Sequence, residues 1–106
     1  MKKQDKKIYE IRAKVFKALA HPSRLIIVDA LQKGPKAVMD LVALVGSEYG
    51  TVSRHISKLR EAGIVSEDHR EANMIYYRLQ APCIPDFFSC VTKVVAGSRS
   101  DLKGIQ

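Results

Sequence analysis

Two groups of residues in this 106-residue chain have types and spacings that could do chemistry. The first is Cys83 and Cys90, its only cysteines. Soft thiolates select As(III), Sb(III), Cu(I) or an oxidising sulfur species, so this pair is a candidate thiol-sensing and metal-binding site. If both lie in one helix they share a side with Phe87 and Val94. Their Cα atoms are then about 10.5 Å apart at 1.5 Å rise per residue, beyond the roughly 7 Å limit for a disulfide. An intrachain bridge therefore needs Cys83 ahead of the helix, which Pro85, tolerated in a first turn, allows. Pairing between two copies is the other route. The competing reading makes both cysteines small core residues, because free Cys is among the most buried types.

The second group is Thr51, Ser53, Arg54, His55 and Lys58, set in a run whose Val52, Ile56 and Leu59 take one helical face. Arg can fork onto guanine O6 and N7, Ser and Thr can meet bases or phosphates, and Lys meets phosphate. A good bidentate base contact contributes roughly 1–3 kcal/mol of discrimination, and Arg54 is the best candidate to supply one. Enzyme chemistry has no comparable support: there is no nucleophile–base pair, phosphate-cradling glycine loop or set of paired carboxylates. His21, His55 and His69 are scattered over a helix start, the polar helix face and a hairpin, which suits zinc, nickel or cobalt poorly.

The elements that must position these groups follow from periodicity. Ile8, Ile11, Val15, Ala18 and Leu19 mark a first helix over about 5–19, and Leu25, Ile26, Val28 and Leu31 a second over about 22–32 that opens at Pro22. Val38 to Val45 is apolar on nearly every side and reads as a buried third helix closed by Gly46. The fourth, from Thr51 to Ala62, stops at Gly63. Ile64-Val65 and Met74 to Leu79 then change to strand character around a turn at Glu71-Ala72-Asn73, giving one β-hairpin. A fifth helix carries Ile84, Phe87, Phe88, Val91, Val94 and Val95 to Gly97. The expectation is a mainly α fold with one β-hairpin, a single domain over 1–97 and a fraying tail over 98–106.

Charge adds a direction. The chain has 18 Lys and Arg against 11 Asp and Glu, a formal net charge of +7, and the whole excess lies in residues 1–36. A polyanionic partner follows from that balance, although the charge alone does not name the element that reads it. No segment approaches the roughly 18 apolar residues of a membrane helix, and no signal-peptide core follows the basic amino terminus, so a cytoplasmic protein with no membrane partner is expected.

Two short helices joined through Gly46, the second polar outside and followed by a hairpin, form a helix-turn-helix with a wing. The wording carries the reading further. Phe16-Lys-Ala-Leu-Ala-His-Pro-Ser-Arg-Leu25, then Thr51-Val-Ser-Arg-His-Ile-Ser-Lys-Leu-Arg-Glu-Ala-Gly-Ile-Val65, then Ile75-Tyr-Tyr-Arg-Leu79, together resemble the ArsR/SmtB family of bacterial and archaeal repressors over about residues 8–96. The resemblance implies a winged helix-turn-helix homodimer, paired through its first and last helices, that holds double-stranded operator DNA until an inducer weakens its grip. Ile8, Ile11, Val15, Phe87, Phe88, Val91 and Val95 exceed what one small core needs and are the candidate dimer interface.

Departures from the family locate the open questions. Glu48, Tyr49 and Gly50 replace its usual cap and polar neighbours, so that Glu48 serves the helix dipole while Tyr49 is placed to stack on sugar or a thymine methyl. Ala72-Asn73 replaces the frequent Gly-Arg of the wing, leaving Arg70 as its cation and Asn73 to take a left-handed turn. The Cys-x-Cys pair that relatives carry in the third helix is missing from Ala37-Val-Met-Asp-Leu41. The positions matching a helix-five metal site are Ala81, Cys83, Val94 and Gly97, of which only Cys83 could be a ligand. No cofactor is required on this reading, and As(III), Sb(III) or Cu(I) are candidate inducers. Two thiolates fall one short of the three that trivalent arsenic prefers, so a third would come from the other protomer or a small thiol. A repressor without inducer, with structural cysteines, and a winged helix that binds protein instead of DNA remain the alternatives.

Overall fold

The computed structural model describes residues 1–96 of the chain, so Gly97 and the tail over 98–106 lie outside the described residues. Helix α1 spans Lys3–Leu19, α2 Pro22–Leu31, α3 Val38–Val45, α4 Tyr49–Glu61 and α5 Ile84–Ala96. Strands β1 (Lys36–Ala37), β2 (Val65–Glu71) and β3 (Met74–Leu79) form one antiparallel sheet in the order β1-β3-β2. The five helices and the hairpin of a winged helix-turn-helix are therefore present. The sheet gains a third strand through Lys36 opposite Tyr77 and Ala37 opposite Tyr76.

Local chemistry sets the boundaries. At the entry to α2, His21 is the N-cap and its Nδ1 accepts from the Ser23 amide at 3.2 Å, with Pro22 in the first helical position where its missing N–H is no loss. At α3 the Asp40 carboxylate reaches back to the Ala37 amide at 3.0 Å, satisfying a donor the helix would otherwise leave free. Gly46 ends α3 at φ 77°, the left-handed conformation that costs glycine least.

The core lies where α2, α3 and α4 meet the base of the hairpin: Ile27, Val28, Leu31, Leu41, Val52, Ile56, Leu59, Ile64 and Val65 are buried, joined by Ala18 and Leu19 of α1. Helix α3 departs from its expected burial on all sides. Leu41 alone is fully buried, while Met39 and Leu44 are more than half exposed, because a domain of this size covers only one face of so short a helix.

Between β2 and β3 the turn residues Ala72 and Asn73 both take positive φ, 50° and 64°, the geometry of a tight hairpin whose twist matches its strands. The register slips between Glu67 and His69, so Asp68 is an extra residue on β2. His69 lies flat against Tyr76, with ring centroids 4.6 Å apart, and hydrogen-bonds to Asp68.

Candidate nucleic-acid interface

Helix α4 is held by an apolar stripe and offers the remainder of its surface. Val52, Ile56 and Leu59 point into the core, and the turn Gly46-Ser47-Glu48 sets α4 against α3. Glu48 is the N-cap but makes no side-chain cap bond, so its contribution is to the helix dipole. On the outward face stand Tyr49, Arg54 and Lys58, all exposed, with Thr51 and Ser53 half-buried at its edges. Arg54 Nη2 donates to Thr51 Oγ1 at 3.3 Å, which steadies the guanidinium beside the hydroxyl one turn back. Lys58 is paired loosely with Glu61 at 3.5 Å, both in solvent. Ser57, exposed between Arg54 and Lys58, belongs to the same face; its spacing of four from Ser53 was the available signal.

His55 is corrected. Its type suggested the outer face, yet it lies three residues from Val52 and four from Leu59, within the apolar stripe, and is only 8% exposed. Nδ1 accepts from Arg24 Nε at 3.0 Å, the His21 ring sits 4.4 Å away, and Arg24 Nη1 donates to the Ala18 carbonyl at 3.1 Å. Burial, followed by the charges of His21, Arg24 and Arg54, holds the His55 pKa below its ordinary value. A neutral imidazole that accepts from Arg24 is a structural tie between α1, α2 and α4.

Two hollows flank α4. Tyr49 and Ser53 line one of them with Met39 of α3 and Asn73, Met74 and Ile75 of the hairpin, so three segments separated in sequence come together beside the recognition face. Met39 was not foreseen there, because an apolar residue in an apolar helix gives no sign of pointing outward. The other is lined by Lys14, Lys17 and Ala18 of α1, Arg24 of α2, Lys58 and Glu61 of α4, and Ala62, which caps α4. Arg70 stands apart on the hairpin arm, exposed and 3.6 Å from Glu67. Arg78 lies 3.6 Å from Asp68, so the wing's cations are offset by its own acids.

The cysteines are free and exposed within the protomer. Cys83 lies in the turn just before α5 and Cys90 on α5, so of the two placements the one with Cys83 ahead of the helix holds and the pair does not share one helix. Among the described residues no cluster of three or more His, Cys, Asp or Glu could hold a metal ion. Ile8, Ile11, Phe87, Val91 and Val95 are exposed apolar residues of α1 and α5, as are Phe16 and Val94, which were not among the candidate interface residues. Val15 and Phe88 instead pack partly onto the chain's own core. Among the described residues no helix is long and apolar enough to cross a membrane.

Comparison with known proteins places this arrangement. The sequence profile of "Bacterial regulatory protein, arsR family" matches residues 21–67, from the α2 cap through the recognition helix into the wing. The HTH-type transcriptional regulator Rv0081 of Mycobacterium tuberculosis is 35% identical over 95 residues, covering 89% of this chain and 82% of the relative. The crystal structure of NolR from Sinorhizobium fredii superimposes with a TM-score of 0.77 at 32% identity, covering 89% of this chain and 93% of NolR. The homodimeric winged helix-turn-helix DNA-binding domain Mb0332 of Mycobacterium bovis does so at 0.75 and 30% identity, covering 89% and 86%. Extent of match, shared fold and the polar face of α4 agree: the chain belongs to the ArsR family of winged helix-turn-helix transcriptional regulators.

Proposed function

We propose that this protein is a homodimeric repressor that grips operator DNA through α4 and the wing and releases it on a thiol-directed signal at Cys83 and Cys90. DNA reading is supported by the outward set Tyr49, Thr51, Ser53, Arg54 and Lys58, with Arg70 and Asn73 on the wing. Repression is supported by relatives named as repressors, among them the "Biofilm growth-associated repressor" of Agrobacterium fabrum. The exposed apolar residues of α1 and α5 support pairing, since an open patch of that kind is costly unless a partner covers it. A second copy fits, as in the homodimer of Mb0332.

The observation that carries the sensing half is the exposure of both cysteines on and beside a helix whose apolar face is open. A core role predicts burial. Cys90 is three residues from Phe87 and one from Val91, so a change at its Sγ acts at the edge of the pairing surface. If the α5 helices pair antiparallel, Cys83 approaches Cys90 of the partner subunit. A soft ion would then be held by thiolates from both chains, or an oxidant would take two electrons and two protons as the sulfurs join. Either event alters how the two recognition helices are spaced, and half-site spacing is what a dimeric reader depends on.

The test is fluorescence anisotropy of the reduced protein on the DNA upstream of its own gene, titrated with As(III), Sb(III), Cu(I), Zn(II), a persulfide donor and peroxide. At least one agent should release the wild type and fail on Cys83→Ser or Cys90→Ser. Equal release of wild type and both variants, or release of none, would remove the thiol signal and leave a repressor governed in another way.

A further inference from the structure

The +7 excess of the amino-terminal third has no place in the helix-turn-helix or wing, yet the fold brings part of it against α4. Lys14 and Lys17, one turn apart on α1, face Lys58 of α4 across a hollow that Arg24 closes from α2. Glu61 is the one carboxylate in the lining, and it is already paired with Lys58. Arg24 is fixed by its bonds to His55 and Ala18, so this is a held cation rather than a drifting one.

A helix with its side chains is about 10–12 Å across and the major groove about 12 Å wide, so a recognition helix seated there presents one flank to each bordering phosphate strand. On α4 the flank carrying Tyr49 and Ser53 faces the hollow beside the wing, and the flank carrying Lys58 faces the basic hollow. At about 100° per residue, Ser53 and Lys58 fall to either side of Arg54 around α4. We infer that the Lys14–Lys17–Arg24–Lys58 cleft takes the backbone phosphates of the DNA strand bordering the recognition groove on that side. It thereby extends the interface onto α1 and α2, beyond the helix-turn-helix and wing. The inference rests on the proposed DNA-binding reading and adds to it a sequence-independent grip.

The experiment measures affinity against salt for the wild type, Lys14→Gln/Lys17→Gln and Lys14→Arg/Lys17→Arg, on the upstream duplex and on a scrambled one. Each phosphate contact contributes about 0.9 to the slope of log K against log salt, and a homodimer on two half-sites carries both lysines twice, so the glutamine pair should flatten the slope by about 3.6. Affinity should fall on the order of tenfold per lysine at about 0.1 M salt, equally on both duplexes, and the arginine pair should restore it. An unchanged slope in the glutamine pair, with steep salt dependence in the wild type, overturns the cleft and leaves DNA binding standing. Absence of salt-sensitive binding in the wild type overturns the DNA-binding reading itself. Binding of inorganic phosphate to the wild type and not to the glutamine pair, with equal salt slopes on DNA for the two proteins, would assign the cleft to a small anion and overturn the inference. Unchanged circular dichroism and dimer mass keep a slope change from being a folding effect, since both lysines are exposed.

Discussion

Arg24 Nε donates to His55 Nδ1 at 3.0 Å, tying the first turn of α2 to the inner side of the recognition helix. The bond fixes the imidazole as a neutral acceptor, with its proton on Nε2. Since Arg24 also holds the Ala18 carbonyl, one guanidinium sets the angle of α4 relative to both α1 and α2.

Acid should loosen this tie. The His55 pKa is lowered in the folded protein, so from about pH 6.5 downward the unfolded chain binds a proton that the folded chain refuses, until the lower folded value is passed. The stability contributed by His55 is therefore complete above about 6.5 and falls across that window. His69 has the opposite sign: its hydrogen bond to Asp68 raises its pKa, so its contribution is present below about 6.5 and is lost as pH rises through the folded value. Both proteins compared should therefore retain His69. Between pH 7.5 and 5 the melting temperature of the wild type should fall more than that of His55→Gln, which can still accept from Arg24. Parallel melting curves would show that His55 does not titrate in this interval.

Arg54 and Lys58 should separate specificity from affinity. Arg54 stands on the outward face with its guanidinium steadied by Thr51, so Arg54→Ala should cost roughly 1–3 kcal/mol per half-site and relax discrimination at one base position in each. Lys58→Ala should weaken cognate and scrambled DNA alike and flatten the salt slope by about 2, one contact being lost from each protomer. Anisotropy on the two duplexes distinguishes these outcomes. A uniform loss for Arg54→Ala would place its contact on phosphate.

Periodicity made the five helices readable, and Gly46 and Gly63 marked two of their ends, because spacing and left-handed caps are local properties. Strand β1 was not readable: two residues have no period, and Lys36 and Ala37 become a strand only through pairing with Tyr77 and Tyr76. His55 was misplaced by weighing residue type over position, although its spacing from Val52 and Leu59 already put it on the inner stripe. The outward turn of Met39 and the meeting of Lys14 and Lys17 with Lys58 depend on how helices distant in sequence cross, which no single segment records.

The wing turn should accept improvement. Ala72 and Asn73 both sit at positive φ, and alanine there carries a steric penalty of roughly 1 kcal/mol that Asn and Gly largely avoid. Ala72→Asn/Asn73→Gly, the favoured pair for such a turn, should stabilise the protein by about 1 kcal/mol. At about 4–8 °C per kcal/mol for a domain of this size, the gain would be visible in a thermal melt. Ala72→Val should shift the melt the other way, because a branched side chain fits that conformation worst. If both variants melt with the wild type, the turn is not held in this conformation in solution.

The open faces of α1 and α5 make the strongest claim on a second copy. Phe16 and Phe87 touch within the protomer, with ring centroids 5.9 Å apart, and so weld the two helices into one surface while leaving each ring about half exposed. Val91 lies one turn beyond Phe87, exposed, and outside the set of residues that pack onto the core. A charge there should leave the protomer fold intact but be costly to bury between two chains. Val91→Glu should therefore give a monomer by sedimentation, with near wild-type helix content. Its DNA affinity should fall by well over tenfold, since the two half-site contacts no longer act as one. A Val91→Glu protein that still sediments as a dimer would place the pairing surface elsewhere. It would also remove the proposed route from Cys90 to the recognition helices.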